Sequence, residues 1–405
     1  LLKEDSTGII VGKIDGQFLR LPGTRHALAA APTRSGKGVG LVMPNLLNFQ
    51  GSLVLLDIKQ EGFDFTSGYR ATLGPTHLFN PFAEDLKSAR WNPFFYVRTE
   101  PLHRTGDLQA IASCLYKEAP GQDPFWSRMS SSAFVAAASY LFDFWTERVS
   151  RIGPEAAMAM HYPTLGKVYR LLCGDGDAEL KAGLQERMAD PFVSADTRMG
   201  LASLTGLAEE TFTSVIATTQ APLLIVANPI VDAVTSGNTF DLRSLRRQVQ
   251  TVYVGISPSK LGEANTLLNL FFEQAIKLNA AVLPEQDSTL KHQCLFLLDE
   301  FTALGRVDIL VEGVAWLAGY NVRIFCVIQS LSQLEAVYGP EKARAMVTNL
   351  ACQVIYTPRG QRDANEYSEM LGYTTVHKRN RTRSHGQGSS TSYAEVEERR
   401  ALMLP

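Results

Sequence analysis

Six short runs in this sequence are almost continuously apolar instead of apolar at every second position: His26–Ala31, Ser52–Asp57, Thr251–Ile256, Cys294–Leu298, Val322–Ile328 and Gln353–Thr357. A strand with one wet face alternates, whereas a run without alternation is buried on both faces, as in a parallel sheet covered by helices. Parallel neighbours also need long crossovers. The stretches between runs supply them, with helical spacing over Val39–Leu47, Ala264–Val282 and Ile309–Ala318. The expected fold class is therefore α/β around a mainly parallel sheet of about six strands.

That grammar breaks once. From about Asp107 to Asn228 the strand signals vanish, and helical patterns cover 107–117, 126–148, 163–172, 178–189 and 194–218. The reading is an all-alpha domain, 107–235, inserted between two parts of one α/β domain, 1–106 and 236–405. Between residues 108 and 235 there are nine basic and fourteen acidic side chains, so the insert carries −5 of a whole-chain charge of −2 and leaves the rest at +3. Near-neutrality thus hides an asymmetry, and it does not argue against a polyanionic partner. Residues 377–393, with Gly, Ser, Thr, Lys378, Arg379, Arg381 and Arg383 and no acid, are expected to form a mobile basic loop, because they have little apolar surface to offset ordering.

Composition closes off other classes. At 405 residues, 45 % hydrophobic and 20 % charged, the chain is neither disordered nor collagen-like. Its five cysteines form no CxxC pair and are odd in number, so neither a zinc site nor a disulfide framework is expected, which fits a reducing cytoplasmic compartment. No run of 18 apolar residues and no signal peptide is present. The chain starts at Leu1 instead of Met, which reads as a fragment with an anchor before it.

Ala31-Pro32-Thr33-Arg34-Ser35-Gly36-Lys37-Gly38 follows the first run and opens a helix. In that setting successive N–H groups form an anion nest, the helix start adds its positive dipole end, and Lys37 reaches terminal phosphates. Thr33, Arg34, Ser35, Gly36, Lys37, Gly38 and Val39 are the candidate nucleotide-binding residues. Ala31 replaces the usual first Gly, and Gly38 stands where a hydroxyl would hold Mg²⁺, so a plain strand-to-helix turn stays open at this point. The run Leu295–Leu298 then ends in Asp299-Glu300, two carboxylates at the strand-end edge where α/β sheets bind ligands. Asp299 suits Mg²⁺ held through water, and Glu300 suits a base for the attacking water. Gln329, at the end of the next run, can donate to a γ-phosphate or the lytic water, although an amide there also serves as a loop cap.

These motifs, with Leu56-Asp57-Ile58-Lys59-Gln60-Glu61, Trp91-Asn92-Pro93, Gln329-Ser330-Leu331-Ser332-Gln333-Leu334 and Leu371-Gly372-Tyr373-Thr374-Thr375, resemble the type IV secretion coupling proteins of TraG/TraD type over nearly the whole chain. In that family a Gly after the loop lysine is common. The resemblance implies a RecA-like P-loop NTPase domain interrupted by an all-alpha domain, with Lys37, Asp299, Glu300 and Gln329 in the Walker A, Walker B and γ-phosphate-sensing roles. It implies ATP and Mg²⁺ as cofactors and a homohexamer at the cytoplasmic face of the bacterial inner membrane, attached through transmembrane helices. As partners it implies DNA, a relaxase or effector proteins, and secretion-channel components. A general hexameric DNA translocase or helicase, and a nucleotide-responsive receptor without motor activity, are the alternatives.

Ring ATPases use an arginine from a neighbouring subunit. The stretch where some relatives carry it reads Ala315-Trp316-Leu317-Ala318-Gly319-Tyr320, so Arg306, Arg323 and Arg400 are the substitutes, and Arg25, twelve residues before Lys37, is a separate candidate for contact with the nucleotide. Asp57 reads either as a Mg²⁺ supporter or as a loop-shaping residue, with the structural role favoured. Arg243, Arg246 and Arg247, with the 377–393 segment, are the candidate DNA contacts. No Cys/His nucleophile pair suggests a second chemistry.

Overall fold

The computed structural model describes residues 5–118, 121, 123–174, 179–384 and 390–404. Its centre is a seven-stranded parallel sheet. The chain forms β1 (Ile9–Ile14), β2 (Gln17–Leu21), β3 (Ala27–Ala30), β4 (Ser52–Asp57), β5 (Thr76–Phe79), β6 (Thr251–Gly255), β7 (Cys294–Leu298), β8 (Val322–Ile328), β9 (Cys352–Ile355), β10 (Tyr373–Ser384) and β11 (Ser390–Ala401). The large sheet has the order β5-β6-β4-β7-β8-β3-β9. The six apolar runs are all in it. The seventh strand, β5, has only four residues and includes His77, too short and too polar for the pattern to mark.

Burial on both faces follows the non-alternating pattern. Every residue of β4, β6, β7 and β8 is buried. Ala27, Ala29, Leu53, Leu55, Leu295, Leu297, Phe325 and Val327 pack on one side with Leu41, Val42 and Leu46 of the helical run after β3. Their neighbours Leu28, Val54, Leu56, Phe296, Leu298 and Ile324 pack on the other side. That second core is contiguous with the buried side chains of the helices between β5 and β6, including Leu108, Phe134, Phe142 and Leu201. A cluster of Phe79, Trp91 and Phe271, with ring centroids 5.2–5.8 Å apart, ties β5 to the helix Leu261–Asn279.

The helical stretch contains Pro101–Leu115, Pro124–Ile152, Pro154–His161, Leu165–Cys173, Leu180–Met188, Ala195–Thr205, Glu209–Gln220 and Pro229–Val234. The single helix expected over 194–218 is two. It stops at Gly206, and the second helix restarts with Glu209 and Glu210 in its first turn, where carboxylates complement the helix dipole.

The loop expected over 377–393 is corrected. Residues 377–384 lie in β10 and 390–393 in β11, a two-stranded antiparallel hairpin in which His377 is opposite Glu397 and Arg379 opposite Glu395; residues 385–389 lie outside the described ones. The acids missing from the basic stretch come from further along the chain. Lys378 pairs with Glu398, and His377 Nδ1 lies 3.8 Å from Glu397, so cross-strand charge partners and ladder hydrogen bonds replace the apolar surface that the basic stretch lacks.

Candidate active site

Parallel register delivers the motifs to one edge. β3 pairs with β8 so that Ala30 is opposite Ile328, and β7 pairs with β8 and β4 so that Leu298 lies opposite Cys326 and Leu56. The loop after β3, Asp299-Glu300 after β7, Gln329 after β8 and Asp57 at the end of β4 therefore meet at the C-terminal edge of the sheet, where strand order and helix starts leave room for a ligand.

The loop closes as an anion cradle. Arg34 has φ +63° and Gly36 φ +81°, and the turn is fixed by bonds from Ser35 N–H to the Pro32 carbonyl (3.2 Å) and from Gly40 N–H to the Gly36 carbonyl (2.8 Å). Only Gly36 takes this conformation freely; Arg34 takes it against its Cβ. The helical run that follows starts with a wide π turn, Gly38–Val42, and continues as Met43–Asn48. Thr33 Oγ1 donates to Gln329 Oε1 at 3.2 Å, which links the loop to the end of β8.

Lys37 points across the loop at the acid pair. Its Nζ is 3.6 Å from Asp299 Oδ1 and 3.7 Å from Glu300 Oε1, with its side chain 12 % exposed. Among the described residues, neither the Lys37 ammonium nor the buried Ser35 hydroxyl has a hydrogen-bond partner. Buried donors left unpaired are costly, and here they lie on the loop that carries the left-handed Arg34 and Gly36. That donor set fits the phosphates of a nucleotide. Burial raises the pKa of Asp299, with Lys37 opposing and Glu300 adding to the rise. Glu300 has φ +54° and ψ +47°, a strained conformation for a residue with a Cβ, which turns its carboxylate back toward the loop.

Asp57 is 7 % exposed and accepts from the N–H groups of Gly62 (3.3 Å) and Phe63 (2.8 Å), so it caps the helix Glu61–Leu73. This is the loop-shaping reading. Gly62 must lack a side chain here, since a Cβ would lie 3.0 Å from Asp57 Oδ2 and 2.5 Å from Leu55 Cδ2. Burial, with a further push from Asp299, raises Asp57 to about 6.

The arginine substitutes are elsewhere. Arg323, fully buried near the start of β8, donates to the carbonyls of Arg25 (3.0 Å), Thr7 (2.6 Å) and Leu21 (3.0 Å). It and Arg25 thus belong to the N-terminal edge, opposite the loop. Arg306 is paired with Asp308 at 2.8 Å, and Arg400 is opposite Thr374 in the hairpin. Of the proposed DNA cluster, Arg246 is buried with its guanidinium on the Asn279 and Val282 carbonyls, Arg247 pairs with Asp287, and Arg243 pairs with Asp241 while stacking on Phe95 and Tyr96. Arg246 is thus taken up by structure, whereas Arg243 and Arg247 stay exposed within their ion pairs. One contact was not anticipated: Arg359, after β9, donates to the Thr33 carbonyl at 2.9 Å. Its only sequence signal is a Thr-Pro-Arg-Gly turn after the last apolar run, and nothing in the sequence says that this run lies beside the first.

The chain is 30 % identical over 393 residues to protein VirD4 of Rhizobium radiobacter, covering 94 % of this chain and 51 % of the relative. It is 28 % identical over 426 residues to a conjugal transfer protein TraG of Escherichia coli, covering 99 % and 65 %. The chain therefore spans about half to two thirds of the length of these relatives. Among solved structures it is similar to the bacterial conjugative coupling protein TrwBdeltaN70, with TM-score 0.65, 14 % identity and coverage of 100 % of this chain and 83 % of that one. It is also similar to plasmid coupling protein TrwB in complex with ADP and Mg²⁺, with TM-score 0.64, 15 % identity and coverage of 93 % and 81 %. These likenesses establish the RecA-like fold. The family described as type IV secretory system conjugative DNA transfer matches residues 2–405, and the chain belongs to that family.

Proposed function

We propose that this chain is the ATP-hydrolysing part of a conjugative coupling protein, which uses the nucleotide cycle to pass a DNA-bound relaxase or a protein effector to the secretion channel. The observation that carries the reading is Lys37, its ammonium buried, without a hydrogen-bond partner among the described residues, and held within 4 Å of both Asp299 and Glu300 beside a loop with two left-handed residues. The structures of TrwB with ADP and Mg²⁺ and with an ATP analogue support a nucleotide and Mg²⁺ here as well.

In this reading the N–H groups of Thr33–Val39 and the Lys37 ammonium hold the phosphates, and Asp299 holds Mg²⁺ through water, since Gly38 has no hydroxyl to offer. Bound Mg²⁺ neutralises charge that develops on the transferred phosphoryl group. Glu300 takes the proton from the attacking water, and Gln329, already linked to Thr33, reports the γ-phosphate. Residues 107–235 act as an inserted all-alpha domain between the two parts of the nucleotide-binding domain, 1–106 and 236–405. Family resemblance supports a homohexamer at the cytoplasmic face of the inner membrane; no described helix is long and apolar enough to cross a membrane.

The test measures ATP binding, ATP hydrolysis with and without DNA, and oligomer size together. Lys37→Ala is expected to lose nucleotide binding, while Glu300→Gln binds normally and hydrolyses at least about a hundredfold more slowly, in line with loss of a general base. Binding without hydrolysis in assembled rings would favour a receptor over a motor.

A further inference from the structure

β9 runs beside β3 with Ile355 opposite Ala30, and the Tyr356 N–H donates to the Ala30 carbonyl at 2.9 Å. The chain thus leaves β9 at the edge where β3 enters the phosphate loop. Thr357-Pro358-Arg359-Gly360 turns there before the helix Gln361–Leu371, and Arg359 Nη2 reaches the Thr33 carbonyl at 2.9 Å. From the other side, the Thr33 hydroxyl is bonded to Gln329. Thr33 is held from both neighbouring strands.

The Thr33 carbonyl shares a peptide plane with the Arg34 N–H. In a trans peptide these two groups point in opposite directions, so a cation that holds the oxygen also sets the direction of the N–H. Arg34 is the residue at φ +63°, and such a conformation persists in a residue with a Cβ only where its surroundings over-determine it. Left-handed residues set among right-handed ones make consecutive N–H groups converge on an anion. The guanidinium on the Thr33 oxygen acts on this one together with the Ser35 N–H bond to the Pro32 carbonyl.

We propose that Arg359 is a positioning residue of the phosphate nest: by holding the Thr33 carbonyl it presents the Arg34 N–H to the phosphates of a nucleoside triphosphate. This rests on the nucleotide-site reading above. Arg359 acts through the backbone, so its contribution belongs to binding and not to the chemical step.

The wild-type chain, Arg359→Ala and Arg359→Lys are compared in three measurements: affinity for a fluorescent ATP analogue, steady-state hydrolysis, and amide exchange of residues 33–37 without nucleotide. Arg359→Ala is expected to weaken binding and raise KM about tenfold, the scale of one charge-assisted hydrogen bond. Its kcat at saturation should stay within about twofold, since uniform binding is what is lost. Exchange at Arg34 and Ser35 should speed up, and Arg359→Lys, which keeps a charged donor, should restore most of the affinity and protection. A kcat loss of about a hundredfold at unchanged KM would make Arg359 a transition-state arginine and overturn the proposal. Unchanged affinity and unchanged exchange in Arg359→Ala would also overturn it. If the wild-type chain binds no nucleotide, the nucleotide-site reading fails, and the exchange comparison alone then decides whether Arg359 holds the loop.

Discussion

Three arginines, Arg70, Arg246 and Arg323, are fully buried with their guanidinium groups on backbone carbonyls at the N-terminal edge of the sheet. In sequence they look like any surface cation. Their position shows instead that they satisfy buried carbonyls, which must be paired: those before β4 for Arg70, those around β3 for Arg323, and those at the end of Leu261–Asn279 for Arg246. His26 belongs to the same edge: it is 3 % exposed, and its Nδ1 accepts the Ile324 N–H at 3.0 Å. Burial, helped by the Arg323 charge, lowers its pKa to about 4. Below about 6.5 the unfolded imidazole takes up a proton that the folded one refuses until about pH 4, so stability is lost as pH falls through that window. By pH 5 the loss from this group is about 2 kcal/mol. Thermal melts from pH 7.5 to 5 are expected to show a falling Tm, with a shallower slope in His26→Asn; parallel slopes would remove His26 as the cause.

At the scale of elements, the helices between β5 and β6 are joined by polar pins as well as by apolar packing. Arg104, on Pro101–Leu115, meets Asp143, on Pro124–Ile152, at 2.8 Å, with both side chains at most 7 % exposed, and Asp143 also accepts from the Ser194 N–H (2.9 Å) and hydroxyl (2.8 Å) at the cap of Ala195–Thr205. One carboxylate therefore positions three helices. Removing one partner of a buried pair strands the other charge, which costs about 3–5 kcal/mol. Asp143→Ala should lower the denaturation free energy by that order in urea titrations, and Arg104→Ala/Asp143→Ala together should cost less than the two single losses added. The elements also show what periodicity conveys. Long amphipathic or fully buried segments declare themselves, whereas β5, at four residues, and the break at Gly206 depend on neighbours that a local window does not see. The hairpin of β10 and β11 is the clearest case: its basic strand lacks apolar surface and acids of its own, and its acidic partner strand supplies the charge balance.

For the whole molecule, the helical segment and one face of the sheet share a single contiguous core. Phe94 stacks on Phe134 and meets Phe142 edge-on, both with centroids 6.0 Å apart, and the Trp91 indole N–H donates to Gln274 on Leu261–Asn279 at 3.1 Å. Replacing residues 101–234 by a short linker should therefore expose apolar surface that the sheet buries only with them. Each fully buried Leu or Phe returned to water forfeits about 1.5–3 kcal/mol, so the shortened chain is expected to aggregate on size-exclusion chromatography and to lose a cooperative melt. A soluble, cooperatively melting product would show that the two parts are separable. The parallel α/β class and the helical interruption were legible in the sequence, and it singled out Lys37, Asp299, Glu300 and Gln329 as candidates that the fold brings to one sheet edge, because burial on both faces and short loop motifs leave local marks. Strand order, the meeting of Arg359 with Thr33, the capping role of Asp57 and the burial of Arg246 appear only in the folded chain. Those depend on which strand lies beside which, a choice made by the packing of distant segments that no stretch of sequence carries alone.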